Sequence, residues 1–188
     1  MSNKTKSQKE LLKFLDQAVD LQKQLIKMNG KSKEAFFYQG YYDFISQEGQ
    51  FYTAQELSQE EQAIVEMVFK QIKKQLAMGF CFSNSQIAIL NDESGKLKYH
   101  EGVVHHEDFL VVIHHGWNTI NGKVIDFTLN SMYCKDYPSG KYTGEYYGFE
   151  LKDAKKWILD RISSGKDSSS YLANYGEGLP ALKTKHIR

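Results

Sequence analysis

The feature that most constrains this chain is a change of hydrophobic period near residue 95. Up to about residue 90 the apolar residues fall at helical spacing. Phe14, Ala18, Leu21, Leu25 and Met28 mark a first helix that Asn29-Gly30 stops. "EAFFYQGYYDFI" places Phe37, Tyr41 and Phe44 on one face of a second. Thr53 to Glu56 and Ser58 to Glu61 both have capping-box spacing for a third, which runs on through Leu76 to Met78-Gly79. A fourth opens at Cys81 and stops in "NDESG". Beyond residue 96 the period becomes two. "LKYHEGVV", "FLVVIHHGWNTI", "KVIDFT" and "YTGEYYGFEL" read as strands, with the hairpin dipeptide Asn121-Gly122 between the second and third. "LKDAKKWILDRI" then reads as a helix and the remainder as loop. Helices followed by an antiparallel sheet make an α+β chain. It is expected to be one domain over 1–188: a helical part at about 8–91, a sheet part at about 96–151, and a helix at about 151–163 with an irregular tail.

Composition narrows the function classes. A net charge of +1 supplies no field toward nucleic acid or an anionic membrane, so neither is expected as a partner. "MSNKTKSQKE" lacks the apolar core of a signal peptide, and no apolar run approaches spanning length. Two cysteines do not make a disulfide scaffold, and a cytoplasmic, reducing location is the expectation. Of the two, Cys134 lies in no motif and reads as structural.

Chemistry gathers around Cys81. A cysteine at a helix N-terminus meets the positive end of the helix dipole, which favours thiolate. A histidine beside it can take the proton and return it to a leaving group, and an acid beyond orients the ring. His114 and His115 compete for that part, and strand parity separates them. If Asn121-Gly122 is a two-residue turn, Ile120 pairs with Lys123 and Trp117 stands opposite Asp126. Asp126 is then the diagonal neighbour of His115 on one face, within side-chain reach. His114 shares the other face with Phe127 and Leu129, and with Leu110 and Val112. A slip of one residue would reverse the assignment.

"GFC", then "HGW", then "DFT" resembles the transglutaminase-like superfamily of papain-fold cysteine enzymes, across about residues 75 to 130. "YHEGVV" resembles that superfamily's strand ahead of the histidine. The resemblance implies a papain/transglutaminase-like fold with N-terminal helices packed on the sheet. It also implies Cys81 as nucleophile, His115 as general base and acid, and Asp126 as orienter. Phe82 departs from the pattern, which often has Trp or Arg after the cysteine. "CFSNSQ" looks most like small uncharacterised bacterial and phage members. The activity implied is acyl transfer or amide hydrolysis (peptidase, amidase, deamidase or transglutaminase-type) on a peptide or other amide-containing substrate, with no cofactor.

Other residues carry two readings each. The Cys81 backbone N–H is one oxyanion donor candidate, and Gln75 matches the papain-type glutamine by spacing alone, against a surface glutamine on the preceding helix. Glu101 reads either as a cleft residue or as a charged residue on an edge strand. Trp117 packs against His115 and shields its bond to Asp126, or is core. His105, His106, His114 and His115 cluster, but adjacent strand residues point to opposite faces, so no metal is expected. Phe36, Phe37, Tyr38, Tyr41, Tyr42 and Phe44 read as core packing or as a stacking platform. The platform belongs to a rival function, a non-enzymatic binding or regulatory protein that uses its aromatic N-terminal helices to hold a partner.

Overall fold

The computed structural model describes residues 4–28, 40–105, 111–129, 144–166 and 170–171. Those residues form an α+β arrangement. The helices are α1 (Lys6–Met28), α2 (Tyr41–Glu48), α3 (Gln59–Ile72), α4 (Cys81–Asn91) and α5 (Ala154–Ser163). The strands are β1 (Gln50–Tyr52), β2 (Leu97–His105), β3 (Ile113–Ile120), β4 (Lys123–Ile125) and β5 (Glu145–Glu150).

The sheet is antiparallel, in the order β1-β5-β2-β3-β4. It curls until its two edges meet. Thr53, just past β1, bridges Lys123 of β4, and the Val124 N–H donates to the Thr53 carbonyl at 3.2 Å. This contact decides between the two capping boxes, because Thr53 is held in the sheet. Ser58 caps α3 instead: its hydroxyl accepts from the Glu61 N–H, and the Glu61 carboxylate accepts from the Ser58 N–H. That helix ends at Ile72, short of Leu76, and Gln75 turns back to the Ile72 carbonyl.

Strand parity sorts the core into an inner and an outer face. Tyr52, Val104, Trp117, Val124, Leu129 and Tyr146 pack together on the inner side of the curl. The outer face carries two clusters. Leu11, Leu15, Tyr41, Phe44 and Ile45 of α1 and α2 cover Val103 and Tyr147. Val65, Val68, Ile72, Ala88 and Ile158 of α3, α4 and α5 cover Tyr99, Ile120 and Ile125. The buried side of α1 is therefore Leu11, Leu15 and Val19, while Leu21, Leu25 and Met28 are exposed. Tyr41 and Phe44 are core residues, and Phe36, Phe37 and Tyr38 lie outside the described residues. No helix among the described residues is long and apolar enough to cross a membrane.

The β3–β4 hairpin fixes the site. Asn121 (φ 50°) and Gly122 (φ 80°) both take the left-handed region, as a two-residue type I′ turn requires. The ladder runs Ile120–Lys123, Thr119–Val124 and Asn118–Ile125, the register expected from the turn. It stops short of "DFT". The Asp126 carboxylate Oδ1 accepts the N–H groups of Thr128 at 2.9 Å and Leu129 at 2.8 Å, which turns the chain out of the sheet.

Candidate active site

Cys81 is the first residue of α4 and is buried, with its surface 9% exposed. The residue before it, Phe80, supplies no side-chain cap, so nothing from that side chain competes for the first N–H groups of the helix. Phe80 and Met78, just before the helix, are exposed. The helix is pressed onto β3 at Gly116. A Cβ built there would lie 2.9 Å from the Phe82 ring and 3.0 Å from the Phe82 Cα. The Ser85 hydroxyl donates to the Gly116 carbonyl at 2.8 Å, and the Asn118 amide donates to the Ser85 carbonyl at 3.0 Å. The glycine of "HGW" is thus what lets the Cys81 helix approach the strand that carries His115.

His115 lies on the inner face, with Nε2 donating to Asp126 Oδ2 at 2.6 Å. The Cys81 side chain lies near enough to act on the same ring, and with Nε2 engaged by Asp126 it is Nδ1 that is left to face the thiol. Asp126 is fully buried and receives four donors. His115 and the Tyr146 hydroxyl (2.7 Å) share Oδ2, and the two backbone N–H groups share Oδ1. Burial alone would push the His115 imidazole down. The Asp126 charge and hydrogen bond, with the Cys81 contact, outweigh it and hold the ring above its ordinary 6.5. Burial likewise would raise the Asp126 carboxyl, but the His115 charge and bond, with the Leu129 and Tyr146 donors, keep it below its ordinary value.

Trp117 follows two residues after His115 on the same face. Its ring lies parallel to the His115 ring (8°) with centroids 6.5 Å apart, and parallel to the His100 ring (12°) at 5.7 Å. It is wholly buried and so lines no cleft; it walls the His115–Asp126 bond off inside the sheet. The slot it fills exists because Gly102 and Gly148 face each other across β2 and β5. A Cβ at Gly148 would come within 2.6 Å of the indole, and one at Gly102 within 3.0 Å.

The other candidates part from this group. His114 points to the outer face, as parity requires, but its neighbours are on α2. It stacks on Tyr41 at 4.1 Å, and its Nε2 meets the Tyr42 hydroxyl at 2.7 Å. Phe127 joins the α3–α5 cluster instead, and Leu129 lies on the inner face with Trp117, because the chain turns out of the sheet at Asp126 and strand parity ends there. Gln75 is exposed in the turn after α3, and its side chain makes no hydrogen bond to Cys81, His115 or Asp126. Glu101 is not on an edge, because β2 lies between β5 and β3. Nor does it line a cleft: it is fully buried on the outer face, accepting from Tyr99 Oη (2.7 Å), Ser170 Oγ (2.8 Å) and the Tyr171 N–H (2.6 Å). A carboxylate that only accepts cannot donate to an oxyanion. Cys81 is a free thiol; Cys134, His106 and Leu110 lie outside the described residues. Among the described residues no group of three or more His, Cys, Asp or Glu side chains is placed to hold a metal ion.

Tyr146 is the site residue that sequence reasoning missed. Alternation in "GEYYGFE" puts it on the face of Gly148, but its partner depends on β5 pairing with β2 (Val104–Tyr146), about forty residues away in sequence. No local signal carries that register.

Comparison with family models, with curated proteins and with solved structures finds no match for this chain.

Proposed function

We propose that this protein is a thiol acyltransferase or amide hydrolase of papain/transglutaminase-like architecture. The observation that carries the reading is the chain of contacts from a thiol at a helix start, through one imidazole, to a buried carboxylate. In the proposed reaction the Cys81 Sγ, its proton taken by His115, bonds to the carbonyl carbon of a peptide or other amide. The tetrahedral intermediate collapses with loss of the C–N bond, and the departing amine takes the proton back from His115. Water then releases the acid, or a second amine takes the acyl group; either restores the thiol. Asp126 holds the ring and its positive charge in place throughout. The N–H groups at the start of α4 are the oxyanion donors this geometry favours. A reducing location such as the cytoplasm keeps Cys81 in the form the reaction needs.

The rival reading is a binding module built on the aromatic N-terminal helices, where Tyr42 is partly exposed and lines a cavity with Phe14, Ala18, Leu21 and Leu25 of α1. Tyr41 and Phe44 are buried in the core and present no free ring face.

The test uses p-nitrophenyl acetate as a small acyl donor, with peptide mapping of the product. The expected result is acetyl-Cys81, formed in a burst and lost in His115→Ala. An enzyme that leaves Cys81 unacylated under these conditions refutes the proposal.

A further inference from the structure

We propose that Asn84 is a positioning residue that fixes Cys81 relative to His115, by joining the loop before the nucleophile to the turn that carries Asp126. This rests on the acyl-transfer reading above. Asn84 sits one turn into α4 and is 1% exposed. Its carboxamide is used at both ends. Oδ1 accepts from the Ala77 N–H at 3.2 Å, and Nδ2 donates to the Ala77 carbonyl at 2.8 Å and to Thr128 Oγ1 at 3.0 Å. Nδ2 has two hydrogens, and each is placed.

The two ends serve different parts of the site. The Ala77 pair closes the loop 77–80 against the helix it introduces, where the Phe80 N–H also donates to the Ala77 carbonyl. That loop contains the left-handed Gly79 and delivers the chain to Cys81. Thr128 is the third residue of "DFT", and its N–H donates to Asp126 Oδ1. One buried amide therefore spans from the segment that sets the thiol to the segment that sets the carboxylate, and hence the imidazole. Elsewhere α4 is tied to β3 through Ser85 and Gly116; Asn84 adds the tie to the turn beyond β4. Only Asn can do this here. Asp loses both donors, Leu loses all three bonds, and Gln is a methylene too long for a fully packed site.

The test reads Cys81 alkylation by iodoacetamide against pH, by peptide mapping, in the full chain. Thr128→Val removes the acceptor hydroxyl and keeps the side-chain volume; Thr128→Ser keeps the hydroxyl. Thr128→Val should slow Cys81 alkylation about tenfold near neutral pH, since a small misplacement of paired groups is costly in rate. The deficit should close above about pH 9, where the thiolate forms without help from the imidazole. Thr128→Ser should restore the rate to within about twofold of the wild type. Asn84→Leu should show the same profile with a larger deficit; should it fail to fold, the Thr128 pair carries the test. A Thr128→Val protein that is less stable yet alkylates like the wild type at every pH makes the amide a structural tie only and overturns the proposal. Wild-type Cys81 reacting no faster than free cysteine near neutral pH overturns the acyl-transfer reading itself, and the positioning role with it.

Discussion

Replacing Asp126 with Asn tests the site at its most constrained atom. The Asn carbonyl can occupy the Oδ1 place and keep the N–H groups of Thr128 and Leu129. The new NH₂ group then faces two former donors, His115 Nε2 and Tyr146 Oη, at 2.6 and 2.7 Å. Both must reverse: the imidazole has to give up its Nε2 proton and accept there, and the tyrosine has to accept. Each charge-assisted bond is worth about 1.5–3 kcal/mol and each neutral replacement about 0.5–1.5, so exchanging two should cost about 2–3 kcal/mol of stability. The loss should depend on pH. His115 has a raised folded-state pKa, so the stability it contributes is complete below 6.5 and fades as pH rises toward the raised value. The gap between wild type and variant in urea melts should therefore narrow on the alkaline side. Without the carboxylate the imidazolium that stabilises the Cys81 thiolate is no longer favoured, so alkylation of the thiol near neutral pH should fall by about tenfold or more. An Asp126→Asn protein destabilised by the expected amount, but alkylated at the wild-type rate, would show that the carboxylate organises the turn and does not orient the histidine.

Four further substitutions separate site from scaffold. His115→Ala should abolish fast alkylation of Cys81, whereas His114→Ala should leave it unchanged and cost about 1 kcal/mol through loss of the Tyr41 stack and the Tyr42 contact; the reverse pattern would mean the parity argument is wrong. Hydrogen bonds from Lys123, from the Ser58 backbone and from Asn121 hold the Glu61 carboxyl down at about 2. Its stabilisation is therefore present above 4.5 and lost as pH falls toward about 2; allowing for solvent screening at Lys123, Glu61→Gln should remove about 1 kcal/mol of that acid-side dependence in melts taken across the interval. Gly148→Ala places a methyl group 2.2 Å from the Glu101 carbonyl oxygen and 2.6 Å from the Trp117 ring, so it should cost about 3 kcal/mol or more and alter the near-UV dichroism of the indole; an unaltered spectrum would contradict the slot.

What the sequence made legible was local, and what it hid was pairing at long range. The Asn121-Gly122 turn fixes its own register, and through it His115 and Asp126 fall on one face without any tertiary information. The start of α4 at Cys81 is equally local, because the hydrophobic run restarts just after Gly79. Two capping boxes five residues apart were indistinguishable as sequence. The choice of Ser58 came from the edge-to-edge bridge at Thr53, a contact between segments about seventy residues apart. β1 went unread for the same reason: "QFY" is too short to show a period and is a strand only because β5 pairs with it. Glu101 illustrates the converse failure. A charged residue beside a glycine reads as exposed, yet β2 is central and its carboxylate is supplied with donors from Tyr99 and from residues 170–171.

The same distinction bears on why the inner face is built as it is. A curled sheet of this size would be more stable with an aliphatic interior, since a buried ion pair seldom outperforms packed hydrophobic side chains. Here His100, His115, Asp126 and Tyr146 are all buried among Trp117, Tyr52 and Val104. His100 shows the cost: burial drives its imidazole down to about 3, so it stays neutral, and its Nε2 meets the Thr119 hydroxyl at 2.9 Å. His115, parallel to the same indole, is instead held above its ordinary value by Asp126. Two histidines beside one tryptophan are thus driven in opposite directions, chiefly because one of them has a carboxylate partner. A fold that needed only packing would gain by losing that carboxylate and its partner together. Keeping the charged pair buried, and in line with a thiol at a helix start, is what a site for proton transfer requires.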